Sequence, residues 1–202
     1  MSTVDERPAV AATSGIADPG PLGLAAFALT TFLLSASNAG WVRGAGDEWL
    51  AYALVYGGLA QLLAAMWEFR NGNVFGATAF GSYGPFWLGL YFYVKDVAGL
   101  KNDVPNDLGW ILLAFAIFTL YMLIASTQTN TALFVVFLLL EVAFIVLFIA
   151  NFAASSGLTK LGGYIGILTA LAAWYTSAAA LMGGMGGGLR LPVGRPLMRA
   201  RV

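Results

Sequence analysis

The chain has 202 residues, of which 59% are hydrophobic and 10% are charged, whereas a soluble domain carries roughly 25% charged residues. Basic and acidic residues number 10 each, so the sequence offers no basic footprint for nucleic acid. It contains no cysteine and no histidine, which excludes disulfides, haem ligation by these residues and the commonest zinc sites. We therefore predict an integral membrane protein with the lipid bilayer as its surroundings, no cofactor, no metal and no nucleic-acid partner.

Six apolar stretches of about 20 residues, the length that crosses a bilayer as a helix, follow one another. They run approximately over Leu22–Val42, Trp49–Trp67, Val74–Val94, Leu108–Ser126, Thr131–Asn151 and Leu161–Met182. The links at residues 68–73 and 127–130 are short, so successive helices should be antiparallel neighbours, while residues 95–107 are predicted to form a solvated loop. The predicted fold class is an all-α integral membrane protein, a six-transmembrane-helix bundle in each protomer.

The two ends of the chain differ in composition from this bundle. Residues 1–17 are polar and are predicted to form a disordered cytoplasmic arm, residues 18–185 form the transmembrane domain, and residues 186–202 form an Arg/Gly-rich tail that is not expected to pack. Six spans place both termini on one side, and that side holds six arginines against four basic residues opposite. This charge bias predicts cytoplasmic termini in the plasma (inner) membrane.

Polar residues inside the spans are the informative ones, because in lipid they either join helices or face a wet path. In the first span Thr30 precedes a stripe at helical spacing formed by Thr31, Ser35 and Asn38. Hydrogen bonding between helices and the wall of a path are both consistent with this pattern.

The second span carries a stripe of small and polar residues, Gly57, Gln61, Ala65 and Glu68. A face for close helix packing and a pore wall would have the same composition. Glu68 is followed two residues later by Arg70 near the membrane interface, and we expect the two side chains to form an ion pair there.

Two further polar groups fall near the middle of predicted spans. Tyr83 lies in the third span, where a phenol needs a hydrogen-bond partner or a wet cavity. Glu141 is the one ionisable residue in the middle of the fifth span, and burying its charge unpaired would cost roughly 2.5 kcal/mol or more. It indicates either a functional group or a contact between helices or subunits.

The first span follows Asp18, Pro19, Gly20 and Pro21, which preset a turn before the helix begins. The amide groups of a helix start attract carboxylates. Because no Lys, Arg or His lies inside any span, a passing carboxylate would meet only such amides and neutral polar side chains. Binding would be weak, as conduction requires.

The run DPGPLGL at residues 18–24 with the following FALTTFLLSASNAG resembles the signature of the acetate uptake transporter family, of the succinate-acetate permease type, whose pattern is NPAPLGL. Residues 56–88, YGGLAQLLAAMWEFRNGNVFGATAFGSYGPFWL, resemble the second and third helices of the same family. FTLYM at residues 118–122 and GGYIGILTA at residues 162–170, which follows Asn151, match as well. The resemblance extends from about Asp18 to Met182.

The resemblance implies a six-helix protomer in a homo-oligomer, a hexamer, with a channel-like path for acetate and, less well, succinate in each protomer. It also implies a hydrophobic constriction made by Phe27, Tyr83 and Leu140. The candidate path residues, taken from the polar stripes, the start of the first span and the family match, are Leu22, Gly23, Thr30, Thr31, Asn38, Gln61, Glu68, Asn73, Thr78, Glu141 and Asn151.

The chain departs from the family pattern at the mouth and beside the constriction. Asp18 replaces the motif Asn, and its charge would repel an anion. Glu141 directly follows Leu140, where a neutral residue would be ordinary, so substrate choice or proton coupling would be altered by it. This role of Glu141 is a hypothesis from position alone.

Other classes of function compete with carboxylate transport. A neutral polar lining would also suit a channel for formate, bicarbonate, urea or ammonium, and the small-residue stripes would also suit a non-conducting assembly protein. No cluster of intramembrane carboxylates or histidines suggests catalysis, so we predict that the protein is not an enzyme.

Overall fold

The computed structural model describes residues 15–43, 46–100 and 103–198, and within these ranges it contains helices and no strands. Six long helices follow one another: α1 (Gly20–Asn38), α2 (Trp49–Asn71), α3 (Val74–Phe92), α4 (Val104–Ser126), α5 (Thr131–Phe152) and α6 (Ser156–Gly184). The predicted six-helix bundle is confirmed. The predicted N-terminal arm lies outside the described residues except for residues 15–17.

Five of these helices, all but α3, are long and apolar enough to cross a membrane. The less apolar α3 is interrupted by Gly76, Thr78, Ser82 and Pro85. It is nevertheless packed within the bundle, where it contributes buried Phe80, Tyr83, Phe86 and Trp87. Polar and small residues are tolerated in this helix because neighbouring helices, and not lipid, surround much of it.

The region predicted as the solvated loop 95–107 is largely helical, which corrects that expectation. Residues Tyr93–Val97 form a π turn and Ala98–Leu100 a 3₁₀ turn that continue α3, and α4 begins at Val104. Asp103 caps α4 by accepting a hydrogen bond of 3.3 Å from the Asn106 backbone N–H. Pro105 indicated a loop, but in the first turn of a helix its missing N–H costs nothing.

The first and last helices close the bundle through backbone contact. A Cβ atom on Gly163 of α6 would lie 2.5 Å from the backbone nitrogen of Ala39 and 2.8 Å from the carbonyl oxygen of Ser35. About one helical turn further along α6, Gly166 faces the Ser35 side chain of α1. At the far end of α1, the Ser177 hydroxyl donates a 2.7 Å hydrogen bond to the Pro21 carbonyl. Helix α1 is thus attached to α6 near both of its ends.

The C-terminal segment packs against the bundle, and the expectation that it would not is wrong. The Ala132 backbone N–H donates to the Val193 carbonyl at 2.9 Å, and the Leu197 N–H donates to the Thr127 carbonyl at 2.9 Å. Ala132 lies in the first turn of α5, whose N–H groups have no partner within the helix. The segment therefore supplies hydrogen bonds that the short α4–α5 connection leaves open.

We predict that Gly163→Ala destabilises the protein whereas Gly183→Ala, in the same helix with nothing within 4 Å of its added Cβ, does not. The new methyl group at position 163 would meet backbone atoms, which cannot rotate away, and overpacking of this kind costs about 1–3 kcal/mol. The midpoint of thermal unfolding in detergent measures the difference. Equal midpoints for the two variants would contradict the close α1–α6 contact.

Candidate functional site

Two cavities follow one another inside the bundle. The larger has a volume of about 210 Å³, and its lining includes the polar residues Asp18, Gln61, Glu68 and Asn73. The smaller has a volume of about 50 Å³. A cavity needs about 10–15 Å³ to hold a single water, so the larger cavity has room for a small hydrated solute and the smaller for a few waters.

Phe27 of α1, Tyr83 of α3 and Leu140 of α5 line both cavities. No other described residue lines both. The ring centroids of Phe27 and Tyr83 lie 5.9 Å apart, and all three side chains are buried. The three residues that the family resemblance groups together therefore form an apolar partition between two cavities.

The larger cavity contains buried polar groups without protein partners. Gln61 of α2 is 0% exposed, and neither atom of its side-chain amide has a hydrogen-bond partner among the described residues. Glu68, about two turns further along α2, is 1% exposed, and its Oε2 atom has no partner among the described residues either. An unpaired buried polar group is costly, so water or a polar ligand in the cavity would satisfy these atoms.

The predicted ion pair between Glu68 and Arg70 is wrong. Glu68 points into the bundle, where Asn71 and Asn73 hydrogen-bond to it, whereas Arg70 is exposed. Residues two apart on a helix point in nearly opposite directions and cannot face each other. The carboxylate is instead part of the wall of the larger cavity.

The mouth of the larger cavity carries a second carboxylate. The Asp18 Oδ1 atom accepts a 2.9 Å hydrogen bond from the Gly20 N–H, so Asp18 itself occupies part of the helix start where a substrate carboxylate was expected to bind. Asp18 Oδ1 and Glu68 Oε1 both lie within 3.6 Å of the position that a Cβ on Gly20 would take. Two carboxyl groups therefore lie close together at this mouth.

The polar stripe of α1 lines the smaller cavity. Thr31, Ser35 and Asn38 all face it, and the Thr31 hydroxyl is buried with no partner among the described residues. Thr30, in contrast, is 0% exposed and donates its hydroxyl to the Ala26 and Tyr52 carbonyls at 3.1 and 3.3 Å. Of the two roles considered for these residues, Thr30 has the first, because it hydrogen-bonds to another helix. The stripe of Thr31, Ser35 and Asn38 has the second, because it lines a cavity.

The hydroxyl of Tyr83 is committed to α4. It lies 2.8 Å from the Thr119 Oγ1 atom, and Thr119 donates its own proton to the Phe115 carbonyl at 2.7 Å. Tyr83 must therefore be the donor to Thr119. Its ring is packed among Phe118 and Phe137 at centroid distances of 5.2 and 6.2 Å, so the partition presents an aromatic surface with the hydroxyl proton directed away.

Other candidate path residues do not line these two cavities. Leu22 is 47% exposed on the outside of α1, and Gly23 packs against the Phe80 ring. Asn151 donates its side chain to the Leu147 carbonyl of its own helix at 2.9 Å. The remaining members of this group, placed away from both cavities, are Thr30, Thr78 and Glu141.

Glu141 is buried beside the partition but outside both cavities. It is 7% exposed, its Oε2 atom has no partner among the described residues, and it lies within electrostatic range of Tyr83. The group therefore lies near Tyr83 but lines neither cavity.

Asn130 and Thr176 also line the larger cavity, and neither was a candidate. Asn130 caps α5 by accepting a 2.9 Å hydrogen bond from the Leu133 N–H. The starts of α1, α3 and α5 lie at one end of an antiparallel bundle, so Asp18, Asn73 and Asn130 converge there. The order of the helices alone would have been enough to predict that these three residues lie together.

We predict that Thr119→Val lowers the thermal midpoint more than Tyr83→Phe does. Valine leaves the buried Tyr83 hydroxyl without an acceptor, at about 1–3 kcal/mol, whereas phenylalanine only removes a hydrogen bond worth about 1 kcal/mol. The double variant should be more stable than Thr119→Val alone, because it removes the orphaned donor. Unfolding midpoints of the three variants test this, and a greater loss in Tyr83→Phe would contradict the assigned donor.

Sequence comparison identifies relatives along nearly the whole chain. Ammonia transport outward protein 2 of Saccharomyces cerevisiae is 40% identical over 176 residues, which cover 82% of this chain and 61% of that protein. The succinate-acetate/proton symporter SatP of Escherichia coli is 37% identical over 182 residues, covering 89% of this chain and 96% of that protein. The chain spans between 58% and 61% of the length of the yeast relatives that it matches.

The fold has a counterpart among solved structures. The bacterial acetate channel SatP superimposes with a TM-score of 0.82 at 36% sequence identity, over 89% of this chain and 99% of that one. The profile of the GPR1/FUN34/yaaH family matches residues 2–192. The chain is a multi-pass membrane protein that belongs to the GPR1/FUN34/yaaH family.

Proposed function

We propose that the chain conducts small carboxylates, chiefly acetate and also succinate, across the plasma (inner) membrane through a channel-like path in each protomer. The observation that carries this proposal is that Phe27, Tyr83 and Leu140 each line both cavities. They would be the constriction of the path. The names of the SatP symporter and the SatP acetate channel support acetate as the solute.

An apolar constriction between two cavities suits this task. It would hold back hydrated ions by excluding water, while a small solute with an apolar methyl group could pass after losing its hydration. Neutral side chains, Gln61 on one side and Thr31 and Asn38 on the other, would replace part of that hydration by donating hydrogen bonds. Because these groups are neutral, binding would be weak enough for release.

A second candidate solute is ammonia or ammonium. It is favoured by the name of the Saccharomyces cerevisiae relative and by the two carboxylates, Asp18 and Glu68, near the mouth of the larger cavity. Competition distinguishes the candidates, since unlabelled ammonium should leave labelled acetate uptake unchanged at constant pH if acetate is the solute. Formate and bicarbonate would be tested in the same assay.

The assembly and orientation follow from the same proposal. A homohexamer with both termini in the cytoplasm would place the larger cavity, formed at the starts of α1, α3 and α5, on the cytoplasmic side. The exposed apolar side chains of α2 and α4, such as Leu63 and Ile117, would face lipid or neighbouring protomers. The protein would act by transport alone and would catalyse no reaction.

We predict that Tyr83→Ala in reconstituted liposomes raises acetate uptake severalfold and relaxes discrimination against succinate. Removing the ring joins the two cavities and leaves Phe27 and Leu140 alone at the constriction. Tyr121→Ala is the matched control, because Tyr121 is 52% exposed on the surface of α4. Uptake and selectivity equal to the native protein in folded Tyr83→Ala would refute the constriction.

We also predict that Glu68→Gln flattens the dependence of acetate uptake on pH while uptake itself persists. Glutamine preserves the size and hydrogen-bonding capacity of the side chain but removes the ionisable group from the wall of the larger cavity. Labelled uptake is measured across pH beside Glu141→Gln, which removes the buried carboxyl outside both cavities. If the pH profile of uptake changes in Glu141→Gln and not in Glu68→Gln, Glu141 and not Glu68 is the group that couples uptake to pH.

A further inference from the structure

Residues 189–198, here called the C-terminal strap, are held along the end of the bundle by hydrogen bonds to α5, α6 and the connection between α4 and α5. The Tyr175 hydroxyl of α6 donates to the Pro192 carbonyl at 2.7 Å. The Thr131 hydroxyl at the start of α5 donates to the Arg195 carbonyl at 2.8 Å. The Met198 N–H donates to the Thr127 carbonyl, just beyond α4, at 3.0 Å. The strap therefore has a defined path across the termini side of the protein.

A glycine fixes the middle of the strap. Gly194 has a φ of +76°, a conformation that side chains rarely adopt, and an added Cβ would collide with the Thr131 side chain. Gly188, just before the strap, has nothing within 4 Å of such a Cβ and gives a matched control position. The path of the strap is thus open to a specific test.

The strap forms one wall of a groove that adjoins the larger cavity. The groove has a volume of about 300 Å³, and Arg190, Leu191 and Val193 line it from the strap side. Asn130 and Thr176 line both the groove and the larger cavity. A solute that enters the larger cavity by way of this groove passes Arg190.

Arg190 is the only cation among the described residues that line the groove and the two cavities. It is exposed and forms no ion pair with another described residue. The larger cavity is itself lined by two carboxyl groups, Asp18 and Glu68, and the exposed Asp18 repels anions. A single positive charge placed in such a groove raises the local concentration of carboxylates.

We propose that Arg190, held in place by the strap, is a substrate-recruiting residue that binds the carboxylate group of the solute in the groove before it enters the larger cavity. This inference rests on the proposed transport of carboxylates. The strap would then be part of the transport path, and its role would be to hold one cation beside a mouth that is otherwise acidic.

The test is equilibrium exchange of labelled acetate in liposomes, a measurement in which solute must cross both mouths. At low ionic strength Arg190→Gln should raise the half-saturating acetate concentration roughly threefold to tenfold with an unchanged maximal rate, as loss of electrostatic steering requires. At about 1 M salt, where the Debye length is about 3 Å, the difference should nearly vanish. Arg190→Lys should restore most of the native value, and Arg195→Gln should leave it unchanged.

The strap itself is tested by a pair of glycine variants. Gly194→Ala should raise the half-saturating concentration as Arg190→Gln does, because it displaces the arginine, whereas Gly188→Ala should match the native protein. Exchange by the native protein establishes carboxylate transport independently of any variant. With that in hand, native half-saturation in Arg190→Gln, or an equal change in Arg195→Gln, would overturn the recruiting role.

Discussion

The backbone contact between the first and last helices is the constraint on which the rest of the structure depends. Gly163 admits the end of α1 to a distance that any side chain would prevent, and the Ser177 bond to Pro21 fixes the other end. With both ends held, α1 has a single rotational setting about its axis. That setting directs Phe27 into the partition between the cavities and Thr31 into the smaller cavity.

The chemistry of the site follows from how its polar groups are partnered. Groups that join helices are satisfied, as Thr30 is by the Tyr52 carbonyl and Tyr83 is by Thr119. The side-chain amide of Gln61 and the Oε2 atom of Glu68 have no hydrogen-bond partners among the described residues. This division separates the polar atoms that support the fold from those left to interact with the contents of the cavity.

The sequence alone was sufficient for the membrane class, the six helices and the stripe along α1, because helical periodicity and span length are local properties. It was insufficient where contacts between distant segments decide. The strap packs because Thr131 and Tyr175, far from it in sequence, offer hydrogen-bonding groups at the right places. The predicted Glu68–Arg70 ion pair was wrong for the opposite reason. The two residues are close in sequence, but side chains two apart on a helix point in nearly opposite directions.

The unequal volumes of the two cavities have a consequence for kinetics. The cavity at the termini end holds about 210 Å³ and the other about 50 Å³, with the same partition between them. The larger cavity has room for a small solute together with some of its water, whereas the smaller has room for only a few waters. A solute that passes the partition towards the smaller cavity would have to shed more of its hydration than one held in the larger cavity, so the slow desolvation step would lie on one side of the partition.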